Sequence, residues 1–170
     1  MILYRYLAGM LIVPLIFAGQ KAEKNKSDTP APVLFVCEHG AAKSIIAAAY
    51  FNKLAQERGL PERAIARGTH PDPAYSSIVV QGLKDDGLKV GSGKPILVTD
   101  ADMAAAARIV TLGCDLPHSH PTAAKVTTWN EITMSEGYSV ARQAIVLRVE
   151  QLLNELSMHK PPLGDGGGLR

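Results

Sequence analysis

Cysteine is scarce in this chain of 170 residues: there are two, Cys37 and Cys114. Two thiols are too few for a disulfide framework or a four-cysteine zinc site. Aromatic residues make up only 5% of the chain, and Trp129 is the single tryptophan. Platforms on which bases stack need more flat side chains than that. Charge of one sign is also lacking. The formal net charge is +2, and no Lys/Arg run interleaves with aromatics, so a nucleic-acid partner is not expected. There is no internal repeat. What is present is a globular balance, 46% hydrophobic and 20% charged, in a length that suits one domain with a real core.

The first 19 residues stand apart. Arg5 is followed by an uninterrupted apolar run, Leu7 to Gly19, and then by a polar, Lys-rich stretch to Pro30. Basic, then apolar, then polar is the order of an export signal. The run is short for a membrane span and holds Pro14, so an uncleaved anchor is the alternative. The expected organisation is therefore a signal peptide or anchor over 1–19, a polar linker over 20–31, one domain over 32–158, and a disordered Gly-rich tail over 159–170. The expected location is periplasmic or secreted, or membrane-anchored by residues 7–19.

Within the domain, strand and helix patterns alternate. Val33 to Val36 is apolar on both faces, as a central parallel strand is. A helical stripe runs from Ala42 to Arg58 and is stopped by Gly59 and Pro61. Further strands are expected over Ala64–Arg67, Ile109–Leu112 and Lys125–Trp129. Further helices are expected over Ser76–Asp86, from a cap at Thr99 or Asp100 through Ala107, and over Tyr138–Leu156. Asp100 and Asp102 fit a helix start better than a catalytic pair. The fold class is α/β: a three-layer α/β/α domain with a four-stranded parallel sheet. Ligands in such folds bind at the carboxyl ends of the strands.

Cys37 lies at such an end. The stretch Cys37-Glu38-His39-Gly40-Ala41-Ala42-Lys43-Ser44 closes the first strand and opens the first helix. Inward N–H groups of such a turn and the positive helix end together form an anion site, bounded by Glu38, His39, Gly40, Ala41 and Ala42. That setting favours a thiolate, the form that attacks phosphorus or arsenic. Gly40 can take the left-handed conformation that curls the loop. Lys43 offers a positive charge to the anion, and Ser44 a hydroxyl to the cysteine sulfur. His39 and His70 are placed to approach the loop. Cys114, His118 and His120 form a C-x3-H-x-H cluster of zinc or copper character, but three ligands on a loop do not define a site, and neither a metal nor any other cofactor is expected.

The stretch Val33 to Leu54 (VLFVCEHGAAKSIIAAAYFNKL) resembles the opening of the low-molecular-weight protein tyrosine phosphatases, whose fold the thioredoxin-coupled arsenate reductases share. The family motif is C-x5-R-S after the first strand, and Cys37 and Ser44 match its nucleophile and serine. Gly68-Thr69 resembles the loop after the second strand. Pro95 to Leu112 resembles the capped helix and third strand, and Trp129 to Leu156 the last strand, acid loop and closing helix. The resemblance spans about Val33 to Leu156. It implies a phosphate monoester hydrolase acting through a phospho-cysteine, with Glu131 as the general acid in place of the family's Asp-Pro. Lys43 stands where the family has arginine, a point charge in place of a two-pronged fork. His39-Gly40 stands where the family has Gly-Asn.

The arsenate reductases bring a second cysteine from the end of the third strand, and Thr111-Leu112-Gly113-Cys114-Asp115 resembles that region. The resemblance therefore also implies arsenate reduction by Cys37 and Cys114, with a thiol reductant as partner. A non-catalytic oxyanion binder is a further alternative. The expected ligands are phosphate, arsenate or a phosphate ester.

Overall fold

A computed structural model of the chain describes residues 30–91, 93–117 and 125–158. The signal segment, most of the linker, His118, His120 and the tail fall outside the described residues. Among the described residues no helix is long and apolar enough to cross a membrane.

Four strands form one parallel sheet: β1 Val33–Cys37, β2 Ala64–Gly68, β3 Arg108–Thr111 and β4 Val126–Thr128, in the order β2-β1-β3-β4. The helices are α1 Lys43–Glu57, α2 Ser77–Asp85, α3 Asp100–Ala105 and α4 Tyr138–Met158. β1 is central because its five residues, VLFVC, are all buried. Its alternating side chains feed two cores. Val33, Phe35 and Cys37 pack with α1, α2 and α4, whereas Leu34 and Val36 pack with Met103 of α3, Val98 and Ile109. Phe35 is fully buried and meets Phe51 edge-on at 5.9 Å and Trp129 at 5.6 Å between ring centres. This is the expected three-layer sandwich.

The boundaries differ from the expected ones by one or two residues. α3 ends at Ala105 rather than Ala107 because Ala106 turns extended (φ −68°, ψ 136°) and Ala107 donates to Pro32 O at 2.9 Å. Its start is a full capping box between Thr99 and Asp102. Asp102 also takes both prongs of Arg67, at 3.0 and 2.9 Å, tying α3 to β2. One feature outside the expectations is a parallel bridge of Leu97 with Gly68, which extends the sheet edge beyond β2.

Candidate active site

The turn from β1 into α1 is held from outside by the segment that follows β2. The carbonyls of Cys37, Glu38, His39 and Ala41 accept from the N–H groups of Thr69, His70, Asp72 and Ser76, at 3.1, 2.7, 3.0 and 3.1 Å. A trans peptide points its C=O and the next N–H to opposite sides. The N–H groups of Glu38, His39, Gly40 and Ala42 are thereby aimed the other way, into the curl of the loop. Gly40 has φ +62°, and a Cβ there would lie 3.0 Å from Gly68 N. A Cβ on Gly68 would come within 2.7 Å of Gly40 N. Two glycines back to back are what let the outer segment grip the loop.

α1 has no side-chain cap on its first turn and no acidic residue in it, so nothing there competes with a bound anion. Cys37 is 3% exposed, and its sulfur lies 3.2 Å from the hydroxyl of Ser44, which is fully buried. A buried hydroxyl needs a partner, and this one has the sulfur. In the thiolate form the hydroxyl proton turns toward it. The curl, the sulfur and the helix start together can bind a tetrahedral oxyanion against a nucleophile.

Lys43 leans across this site. Its Nζ donates to the carbonyl of Ile132 at 3.3 Å, and it passes so close to Gly113 that a Cβ there would sit 3.2 Å from Nζ. The ammonium thus joins the start of α1 to the loop after β4. Glu131, next to Ile132, turns to α4: Arg148 Nε donates to Glu131 Oε1 at 2.7 Å, and Arg148 Nη2 is 2.6 Å from the same oxygen. A hydrogen bond from its own backbone, together with Arg148, holds the Glu131 carboxyl below the usual carboxylate range. The structure gives Glu131 to Arg148, not to the loop.

His39 points outward, with its ring 3.2 Å from Asp72 and 3.7 Å from Glu38 and more than half exposed. The His70 ring likewise lies outside, 3.3 Å from Thr69 Oγ1. Cys114 belongs to the core on the α3 side, with its sulfur 3.5 Å from Val36 O. Burial and then the charge of nearby Cys37 push its thiol up to about 11. The two sulfurs therefore approach the end of β1 from opposite faces of the sheet, and Cys114 is a protonated thiol at neutral pH.

Arg148 and Gly113 were not anticipated. Arg148 stands 17 positions after its partner on a different element, and no local pattern announces such a pair. Gly113 precedes Cys114 in a loop whose glycine had no evident task in the sequence alone.

Solved structures share this architecture. The thioredoxin-dependent arsenate reductase of Corynebacterium glutamicum is 21% identical, with a TM-score of 0.67 over 79% of this chain and 66% of that one. The low molecular weight protein tyrosine phosphatase of T. tengcongensis is 20% identical, with a TM-score of 0.59 over 73% and 98%. The arsenate reductase of Archaeoglobus fulgidus is 28% identical, with a TM-score of 0.55 over 72% and 98%. No curated protein matches. The family model for the low molecular weight phosphotyrosine protein phosphatases matches residues 32–149. With well over half of its length matched across the anion loop and every strand, this chain belongs to the low molecular weight phosphotyrosine protein phosphatase family.

Proposed function

We propose that the protein is a cysteine-dependent phosphatase-like enzyme that hydrolyses a phosphate monoester. The observation that carries this reading is the buried Cys37 sulfur, paired with Ser44 and ringed by loop amides whose carbonyls are tied outward. The Cys37 thiolate attacks phosphorus, and the ester P–O bond breaks. The departing oxygen takes a proton, leaving a phospho-cysteine; Glu131 fills that role only once its carboxyl is released from Arg148 and turns to the loop. Water then attacks phosphorus, Glu131 takes its proton, and the S–P bond breaks to restore the thiolate. The loop N–H groups and Lys43 stabilise the charge on the phosphoryl oxygens. Ser44 stabilises the sulfur as it leaves.

Arsenate reduction is the second reading, supported by Cys114 lying at the same end of β1 as Cys37, with its sulfur 3.5 Å from Val36 O. Cys37 attacks arsenate and expels water after protonation. Cys114, once deprotonated, attacks the Cys37 sulfur. A disulfide forms, and arsenic leaves two electrons richer as arsenite. An external dithiol would reset the pair; the corynebacterial neighbour is described as thioredoxin-dependent. Export of the chain belongs to the same proposal, on the charge and hydropathy order of residues 1–30. In an oxidising compartment Cys37 and Cys114 would tend toward the disulfide.

Hydrolysis of p-nitrophenyl phosphate by the reduced protein tests the first reading. Activity is expected, absent in Cys37→Ser and raised in Lys43→Arg, whose fork grips two phosphoryl oxygens. Arsenate reduction that needs Cys114, with no ester hydrolysis, would replace the first reading by the second. Phosphate binding with neither activity would leave a non-catalytic oxyanion binder.

A further inference from the structure

β2 is an outer strand, and its open edge is covered unevenly. Val33 N–H donates to Arg63 O and Thr69 N–H to Cys37 O. The odd-numbered residues of β2 therefore turn their backbone groups to β1, and the even-numbered ones turn theirs away. Ala64 is satisfied by Asn52 of α1, whose side chain accepts from its N–H at 2.8 Å and donates to its carbonyl at 3.0 Å. Gly68 is satisfied by Ile96 O and Val98 N–H, both at 2.9 Å. Ala66 lies between them. Its carbonyl accepts from Arg67 Nη1 at 2.9 Å, and its N–H has no partner among the described residues. This gap in the ladder is one residue long, and Ala66 lines a cavity of about 250 Å³ between α1, β2 and the segment after α2. Ile45, Ala48 and Ala49 of α1 give the cavity an apolar wall. Tyr75 and Lys89 also line it, and neither the hydroxyl nor the ammonium has a partner among the described residues. Arg67 is there too, but its charge is answered by Asp102 at 2.9 Å. No carboxylate lines the cavity.

We propose that this cavity is a binding site for a small monocarboxylate with a compact apolar body, such as a short branched-chain or aromatic acid. A backbone N–H, a hydroxyl and an ammonium without partners are three groups able to donate, one of them charged. The group that answers all three is an acceptor carrying negative charge, and a carboxylate is acceptor-only. One carboxylate oxygen takes the Ala66 N–H, the charge is met by Lys89, and the apolar body rests on the α1 wall. An extended peptide does not fit as an added strand. Strand addition uses successive outward-facing positions of the edge, and Ala64 and Gly68, on either side of Ala66, are already taken. The volume also limits the occupant, since it is smaller than the roughly 300–1,000 Å³ of pockets for drug-sized ligands. The cavity shares no lining residue with the loop from Cys37 to Ser44, so the carboxylate and the oxyanion occupy different sites.

The test is amide NMR of the full reduced chain, labelled with nitrogen-15 and titrated with benzoate and with 3-methylbutanoate. Benzamide is the uncharged counterpart. The Ala66 amide proton should move downfield and saturate with each carboxylate, as an N–H gaining an acceptor does, and benzamide should bind more weakly. Lys89→Glu, at an exposed position, should weaken carboxylate binding by roughly fivefold or more. Ala49→Leu, which puts bulk into the cavity, should remove the response. Saturating phosphate should leave the benzoate titration unchanged. An Ala66 amide that responds to neither carboxylate would overturn the proposal and leave this N–H to water. Binding that phosphate abolishes, or that Lys89→Glu and Ala49→Leu both leave intact, would place the carboxylate elsewhere and overturn it equally.

Discussion

Ser44 and Gly40 carry the most specific claims at the level of single residues. Removing the Ser44 hydroxyl leaves the Cys37 sulfur without its partner at 3.2 Å. A hydrogen bond of this kind contributes about 1 kcal/mol, so Ser44→Ala should slow turnover roughly fivefold. Because the sulfur is the leaving group of the second step, phospho-cysteine should accumulate, which rapid quenching with labelled substrate would reveal. An unchanged steady-state level of the intermediate would remove Ser44 from that role. Gly40→Ala should do more harm, since φ +62° and the 3.0 Å approach to Gly68 N both oppose a Cβ. The left-handed conformation alone costs about 1 kcal/mol. Phosphate binding by calorimetry should weaken in this variant beyond what its melting temperature explains, because the inward N–H groups lose their alignment. The nucleophile, its serine and the lysine were all legible in the sequence, because one contiguous stretch encodes them. Arg148 was not, because its partner Glu131 lies on a separate element and the pair exists only once α4 packs.

Among the elements, β1 organises both the fold and the site. Its apolar run on both faces marks a buried central strand, and the structure puts it between β2 and β3. Phe35 fills the core beneath the loop, against Phe51 and Trp129. Phe35→Ala should cost ~3–5 kcal/mol, a large part of an ordinary domain's stability, and denaturant unfolding would measure it. A second tie joins three helices. Asp86, just after α2, accepts from Tyr50 of α1 at 2.6 Å, from Tyr138 of α4 at 2.5 Å and from Arg142 at 2.9 Å. The Tyr138 and then Tyr50 hydroxyls hold its carboxyl below the usual range. A carboxyl lowered on folding stabilises above its unfolded pKa, and that contribution fades as pH falls through the folded value. Asp86→Asn should therefore melt lower than wild type at pH 7, with the gap closing as the solution is acidified below about 4. A gap independent of pH would contradict this. Helix and strand patterns were readable because apolar periodicity encodes them. The Leu97 bridge at the sheet edge was not, since a single bridged residue leaves no period to detect.

At the scale of the whole molecule, the fold brings one buried sulfur, that of Cys37, against Ser44 at the start of α1, where the proposed anion site lies. The opposing approach of Cys114 from the α3 side supplies a contrast within the same chain. Its thiol is pushed up to about 11 by burial and by Cys37, so at neutral pH it should be unreactive. Family membership accounts for the sheet order and the loop, while Lys43 and Glu131 set this chain apart from the motif it resembles. The measurement that bears most directly on the central claim is alkylation of the reduced protein by iodoacetate at neutral pH, read by peptide mass spectrometry with and without phosphate or arsenate. The expected result is modification at Cys37, slowed by either oxyanion, with Cys114 spared. Preferential modification of Cys114, or labelling of Cys37 that neither oxyanion slows, would contradict it.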